Sequence, residues 1–274
     1  TASRDKTALV WDVGTHKVVK KLVGHDATVN SVAFNHDGTM VVTASGDLDT
    51  SDYTARVWDL ATGREVAKLV GHEDRTYSAE FSPDGTKVMT TSWDGTARLW
   101  NLATNAEIMR YKHEGRVNSC MFSSDGNLVV TASSDHTATV WDTMSGRELT
   151  KLIGHDGIVN FAEFSPDGSK IVTASSDQTA RIWEITTGKE LAKLVGHNDS
   201  VYSAFFSSDG SKIVTASSDG TARLWDAKWL TEYRGKALTE RVCREKLIGA
   251  RHLTKKDTEI SSILVKREGE DVCD

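Results

Sequence analysis

The sequence predicts an all-β chain built from repeated four-stranded units, and three observations carry that expectation. Tryptophans followed by an acid or amide stand at Trp11, Trp58, Trp100, Trp141, Trp183 and Trp225, separated by 47, 42, 41, 42 and 42 residues. His25, His72, His113, His155 and His197 precede the next such tryptophan by 28 residues in every unit but the first, where the separation is 33. Between them, short β-branched and aromatic runs break at Asp-Gly and Ser-Asp, the pattern of antiparallel hairpins. A period near 42 residues is the length of a β-propeller blade. The expected architecture is about six blades of four antiparallel strands, the first incomplete.

Taken in order, residues 1–227 divide into a partial repeat at about 1–24 and further repeats at 25–71, 72–112, 113–154, 155–196 and 197–227. The long spacing in the 25–71 unit places an insertion between Ser45 and Asp52, where the other units have only a tight turn. Ser-Pro-Asp-Gly at 82–85 and 165–168 sets proline where a type I turn wants it and glycine where the hairpin closes with positive φ. Five residues after each tryptophan, Gly63, Gly146 and Gly188, with Asn105 and His16, supply types that tolerate left-handed φ. Leu230 holds that place after Trp225, so the repeat is expected to stop near Asp226. Residues 228–274 read as a small helical C-terminal appendage. Trp229, Leu230, Tyr233, Ala237, Leu238, Val242 and Leu247 recur at roughly helical spacing, and the run from Thr254 to Asp257 looks like a capping box. The appendage is expected to pack Trp229 and Leu230 on the last blade's edge.

Composition narrows the function. Of 274 residues, 38% are apolar and 26% charged, which excludes a disordered or collagen-like chain. No run of about 18 uncharged apolar residues occurs and no basic, apolar leader opens the sequence, so a soluble, cytoplasmic chain without membrane partners is expected. Residues 228–274 carry 11 Lys/Arg against 9 Asp/Glu, which leaves the first 227 at a net −8 of the chain's −6. That balance disfavours nucleic acid, whose phosphates call for clustered positive charge. Cys120, Cys243 and Cys273 are too scattered for a disulfide framework or zinc site. No phosphate-binding loop, His-Glu-x-x-His or Gly-x-Ser-x-Gly motif is present, and His16, His36, His136 and His252 fall in turns or the tail, so neither metal nor cofactor is expected.

Gly-His, then Phe-Ser-Pro-Asp-Gly, then TASSDGTARLWD, repeated at this period, resembles the WD-repeat (WD40) β-propeller family over residues 1 to about 227. The resemblance implies a buried tetrad of His, Ser or Thr, Asp and Trp in each blade. Carried over by position, these are His25, Ser45, Asp52, Trp58; His72, Ser92, Asp94, Trp100; His113, Ser133, Asp135, Trp141; His155, Ser175, Asp177, Trp183; and His197, Ser217, Asp219, Trp225, with only Ser3, Asp5 and Trp11 in the partial unit. Asp, His and Ser together can activate a hydroxyl nucleophile. Five recurrences argue instead for a structural network, repeated because the same packing problem recurs.

The segment RVCREKLIGARHLTKKD resembles tails that follow WD repeats in bacterial multidomain signalling proteins, whose N-terminal part is an effector, peptidase-like, kinase or nucleotide-binding domain. Because the sequence starts mid-blade, a ring of about seven blades is expected, sealed by preceding sequence or by a second chain. A binding face must use positions at which blades differ. Thr28, Arg75, Arg116, Ile158 and Ser200 vary in one turn, followed two residues on by Asn30, Tyr77, Asn118, Asn160 and Tyr202. Before the tetrad Asp stand Arg4, Ser51, Trp93, Ser134, Ser176 and Ser218. Trp93, Tyr77, Arg75 and Arg116, with Tyr53, are expected to form one partner-contacting patch, since such residues dominate binding hot spots. The alternative is that Trp93 covers a neighbouring turn and the arginines are solvated. The expected function is a non-catalytic protein-interaction scaffold or sensor of a larger signalling protein. The alternative is a regulatory or substrate-recruiting propeller of an enzyme whose catalytic domain lies upstream.

Overall fold

The computed structural model describes residues 1–228, which form six antiparallel sheets. The first has two strands, β1 (Thr7–Asp12) and β2 (Lys17–Val23). The second joins β3 (Val29–Phe34), β4 (Met40–Ser45), β5 (Ala55–Asp59) and β6 (Glu65–Leu69). The third joins β7 (Thr76–Phe81), β8 (Lys87–Ser92), β9 (Thr96–Asn101) and β10 (Ala106–Lys112); the fourth β11 (Val117–Phe122), β12 (Leu128–Ser133), β13 (Thr137–Asp142) and β14 (Glu148–Ile153). The fifth joins β15 (Val159–Phe164), β16 (Lys170–Ser175), β17 (Thr179–Glu184) and β18 (Glu190–Val195), and the sixth β19 (Val201–Phe206), β20 (Lys212–Ser217) and β21 (Ala222–Asp226).

Within each sheet the strands pair in chain order, so every connection is a hairpin whose turn the sequence specifies. Gly85 and Gly168 close theirs at φ +68° and +66°, and His16, Gly63, Asn105, Gly146 and Gly188 all adopt positive φ. The second strands β4, β8, β12 and β16 are buried at five consecutive residues rather than at alternate ones. Continuous burial means that both faces are covered, which a single sheet reaches only between two others. The cores therefore lie at the junctions: Val42, Val57 and Leu69 of the second sheet pack with Phe81, Val88 and Trp100 of the third. Val130, Val140 and Leu152 of the fourth likewise meet Val159, Ile171 and Trp183 of the fifth. The first strands β3, β7, β11, β15 and β19 neighbour one another in succession, so they form the inner line of the array.

The fold is corrected from the expected one at its ends. The sixth sheet has three described strands, not four, and no described residue covers the face on which a following sheet would pack. Val214 and Leu224 are 41% and 65% exposed, whereas their counterparts Val172 and Ile182 in the fifth sheet are 0% and 1%. No helix occurs among the described residues, so their fold class is all-β and the expected helical appendage is no part of it. The helical segment expected from 228 onward, including the Leu230 turn position, falls on residues 229–274, outside those described.

Candidate functional site

The repeated histidines, acids and tryptophans meet through threonine. In the second sheet His25 Nδ1 lies 3.0 Å from Asp52 and Nε2 lies 2.7 Å from the Thr43 hydroxyl, which also accepts the Trp58 indole N–H at 2.9 Å. The same chain runs His72–Thr90–Trp100 with Asp94, His113–Thr131–Trp141 with Asp135, His155–Thr173–Trp183 with Asp177, and His197–Thr215–Trp225 with Asp219. Serines 45, 92, 133, 175 and 217, expected as the hydroxyl members, are corrected to these threonines two residues earlier. The serines close the turn instead: the Asp94, Asp135, Asp177 and Asp219 N–H groups donate to the Ser92, Ser133, Ser175 and Ser217 hydroxyls, and Ser45 donates to the Thr28 carbonyl. In the partial first sheet Ser3 and Asp5 make a similar turn, but Trp11 is 46% exposed and donates to Thr1.

One protonation pattern satisfies every member. A neutral imidazole carrying its proton on Nδ1 donates to Asp, while Nε2 accepts from a threonine hydroxyl that itself accepts from the indole. Burial pushes the His72 and His155 imidazoles below their ordinary range, which keeps them neutral. Burial pushes the Asp52, Asp94 and Asp177 carboxyls upward, but hydrogen bonds led by those from histidine outweigh it and leave them well below the usual range. Arginines extend three of these networks. Arg98 reaches Asp94 at 3.2 Å and Glu107 at 3.0 Å, Arg181 reaches Asp177 at 3.3 Å and Glu190 at 2.7 Å, and Arg56 reaches Glu65 at 2.8 Å. These arginines were not anticipated, although Arg two residues before the tryptophan recurs in four units and was the available signal. Thr43, Thr131 and Thr173 are fully buried, so no substrate can reach the hydroxyl that a nucleophile would need. Among the described residues, no group of three or more His, Cys, Asp or Glu could hold a metal ion.

The loop end of the third sheet departs from this regularity. In the fourth and fifth sheets, Asn118 and Asn160 donate to Ser134 and Ser176 and, at 2.9 Å, to the Val159 and Val201 carbonyls of the following sheet. In the third sheet Tyr77 and Trp93 take the places of that asparagine and serine, and their rings stack with centroids 6.1 Å apart at 27°. The Arg75 and Arg116 guanidinium carbons each lie 4.0 Å from the Trp93 ring centroid. The indole is therefore in stacking contact with two cations as well as with Tyr77. Four of the five expected patch residues thus meet. Tyr53 joins through its main chain, its carbonyl accepting from Thr76 at 2.8 Å.

The insertion supports this end. Asp47 accepts from the Thr28, Asp49 and Thr50 N–H groups, which folds the extra residues into a compact turn beside Arg75. By main-chain bonding the counterpart of Trp93 in the second sheet is Gly46, not Ser51: Gly46 N donates to Thr28 O as Trp93 N donates to Arg75 O. A Cβ at Gly46 would fall 2.6 Å from the Arg75 Cα, so something must move. Gly46→Ala is therefore expected to displace Arg75, read as loss of quenching of the Trp93 fluorescence in a protein with its other seven tryptophans unchanged. An unaltered difference spectrum between Gly46→Ala and wild type would refute that contact.

Six sheets joined face to face, five of them knitted by a His–Thr–Trp–Asp tetrad and carrying variable loops at one end, define a repeat propeller of the interaction-platform class. The chain belongs to the WD-repeat family: the WD domain, G-beta repeat matches residues 16–59, 63–101, 106–142, 146–184 and 188–226. Among curated proteins it is similar to WD repeat-containing protein 37 of Xenopus tropicalis, 49% identical over 47 residues, 17% of this chain and 10% of that protein. It is similar also to the guanine nucleotide-binding protein subunit beta of Schizosaccharomyces pombe, 42% identical over 45 residues, 16% of this chain and 15% of that one. The U5 small nuclear ribonucleoprotein 40 kDa protein of Pongo abelii is 38% identical over 45 residues, 16% and 13% of the two chains. The matched segments thus span a small part of each relative.

Proposed function

We propose that this chain is a non-catalytic protein-interaction scaffold whose partner docks at the loop end of the third sheet. The observation that carries this reading is the Arg75–Trp93–Arg116 stack with Tyr77 beside it. At that place the chain gives up the asparagine bridge that ties other sheets together, and the buried Trp93 N–H has no acceptor among the described residues. An unpaired buried donor costs about 1–3 kcal/mol, a cost that the serines at this place in the fourth and fifth sheets, bonded to Asn118 and Asn160, do not carry. A signalling role is the finer part of the proposal, supported by the likeness to a guanine nucleotide-binding protein subunit.

Selection of a displayed random-peptide library on the immobilised chain tests this. Wild type is expected to enrich peptides that Trp93→Ala fails to hold, with both proteins giving the same far-ultraviolet circular dichroism. Peptides retained equally by Trp93→Ala would overturn the assignment of the site.

A further inference from the structure

Building on that site, we infer that its ligand is an extended acidic peptide segment, with two carboxylates at alternate positions, each received by one guanidinium. The indole is already stacked against Arg75, Arg116 and Tyr77, so Trp93 offers little open ring to a ligand. What the patch presents are the N–H forks of the arginines, which suit carboxylates in paired hydrogen bonds.

Those forks have little competition among the described residues, although the Arg75 side chain is only 18% exposed. Arg56, Arg98 and Arg181 in the sheets are tied to glutamates at 2.7–3.0 Å. Arg116 has no ion pair among the described residues, and the carboxylate nearest Arg75, Asp74, is 4.0 Å away and already accepts the Arg75 main-chain N–H at 2.7 Å. Glu73 on the same loop is exposed and makes no ion pair with Arg75. Glu114, on the loop of Arg116, is exposed and makes no ion pair with it.

Spacing selects the form of the ligand. With each guanidinium carbon 4.0 Å from the Trp93 ring centroid, the two cations are no more than about 8 Å apart. Same-side residues of an extended strand repeat at about 6.8 Å, close enough for two flexible carboxylates to reach both. Neighbouring residues point to opposite sides and cannot. The indole acts as a spacer that fixes both arginines before binding, which lowers the ordering cost of docking. The exposed Tyr77, at 42%, borders the groove and can contact the residue between the acids.

The test uses the full 274-residue chain and fluorescein-labelled peptides read by anisotropy. The probe is Gly-Glu-Tyr-Glu-Gly, compared with its Gln-for-Glu counterpart, an isomer with adjacent glutamates, and a version with phosphoserine for each glutamate. The alternating acidic peptide is expected to bind at least roughly tenfold tighter than the glutamine form, and Arg116→Gln to remove about that factor. Arg116→Lys, which keeps the charge but not the planar fork, is expected to fall between. Equal binding of the glutamine peptide, indifference to Arg116→Gln, a preference for adjacent acids, or binding of the phosphorylated form alone would each overturn the inference. Library peptides that depend on Trp93 yet are neutral or basic would sink this inference while leaving the scaffold reading intact. Absence of any Trp93-dependent peptide would remove both.

Discussion

Thr173→Val should destabilise the chain by roughly 2–4 kcal/mol, whereas Ser175→Ala, two residues along the same strand, should cost about 1 kcal/mol. The Thr173 hydroxyl sits 2.7 Å from His155 Nε2 and 2.8 Å from the Trp183 indole nitrogen, in a strand covered on both faces. Valine keeps the shape but strands a buried donor and a buried acceptor at once, and no water can replace the hydroxyl. Ser175 is buried too, but it accepts from Asp177 N at 3.1 Å and donates to Gly157 O at 3.2 Å, partners in a half-buried turn where water can replace the hydroxyl. Urea unfolding followed by tryptophan fluorescence and by hydrogen exchange of the fifth sheet compares the two. A Ser175→Ala loss equal to that of Thr173→Val would return the tetrad hydroxyl to serine.

That pair of residues also shows where sequence reading stops. The strands and turns were legible because glycine, proline and Asp-Gly steps mark local backbone needs that no distant contact alters. The histidines, acids and tryptophans were legible because they recur. Which hydroxyl they share depends on register, since Thr173 and Ser175 point to the same side of one strand. In the structure Trp183 pairs with Ile171, which puts Thr173 one diagonal step from the indole and Ser175 two. A repeat pattern cannot decide between hydroxyls two residues apart.

The candidate patch was legible by residue type, because Trp93 stands where most other units have serine. Its geometry was not. Arg75 and Arg116 lead into different sheets, and only the packing of the third sheet on the fourth brings both onto one indole. The inner strands hid a further feature. The fifth residue of that strand is Ala33, Glu80, Met121, Glu163 or Phe205, and nothing in such a mixed column predicts that two of them are half-buried carboxylates.

Those carboxylates make stability depend on alkali. Burial first, and then repulsion from Glu163, pushes the Glu80 carboxyl up to about 8, against a donated hydrogen bond from the Phe122 main chain. Burial pushes Glu163 up to about 7, opposed by the Phe206 N–H at 2.9 Å. Both values are raised above the unfolded 4.5, so the folded chain holds protons that the unfolded chain has released. The stabilisation is complete below pH 4.5 and is lost as pH climbs through about 7 and about 8. His72 and His155, depressed from 6.5, act in the opposite sense but only on acidification below that value. The buried Cys120 thiol, raised well above 9, matters only in stronger alkali. The histidine contribution fades as pH rises above 6.5, so the two glutamates dominate the window from pH 6.5 to 8. Across it the unfolding free energy is expected to fall by on the order of 1–2 kcal/mol, since one proton held only by the folded chain costs about 1.4 kcal/mol for every tenfold drop in proton concentration, and Glu163 gives up its proton early in the range. Glu80→Gln imitates the neutral form, so this variant should be flatter between pH 6.5 and 8 and more stable than wild type at the upper end. Urea midpoints at half-unit pH intervals measure both quantities, and a Glu80→Gln curve parallel to that of wild type would mean that the carboxylate is ionised in the folded chain.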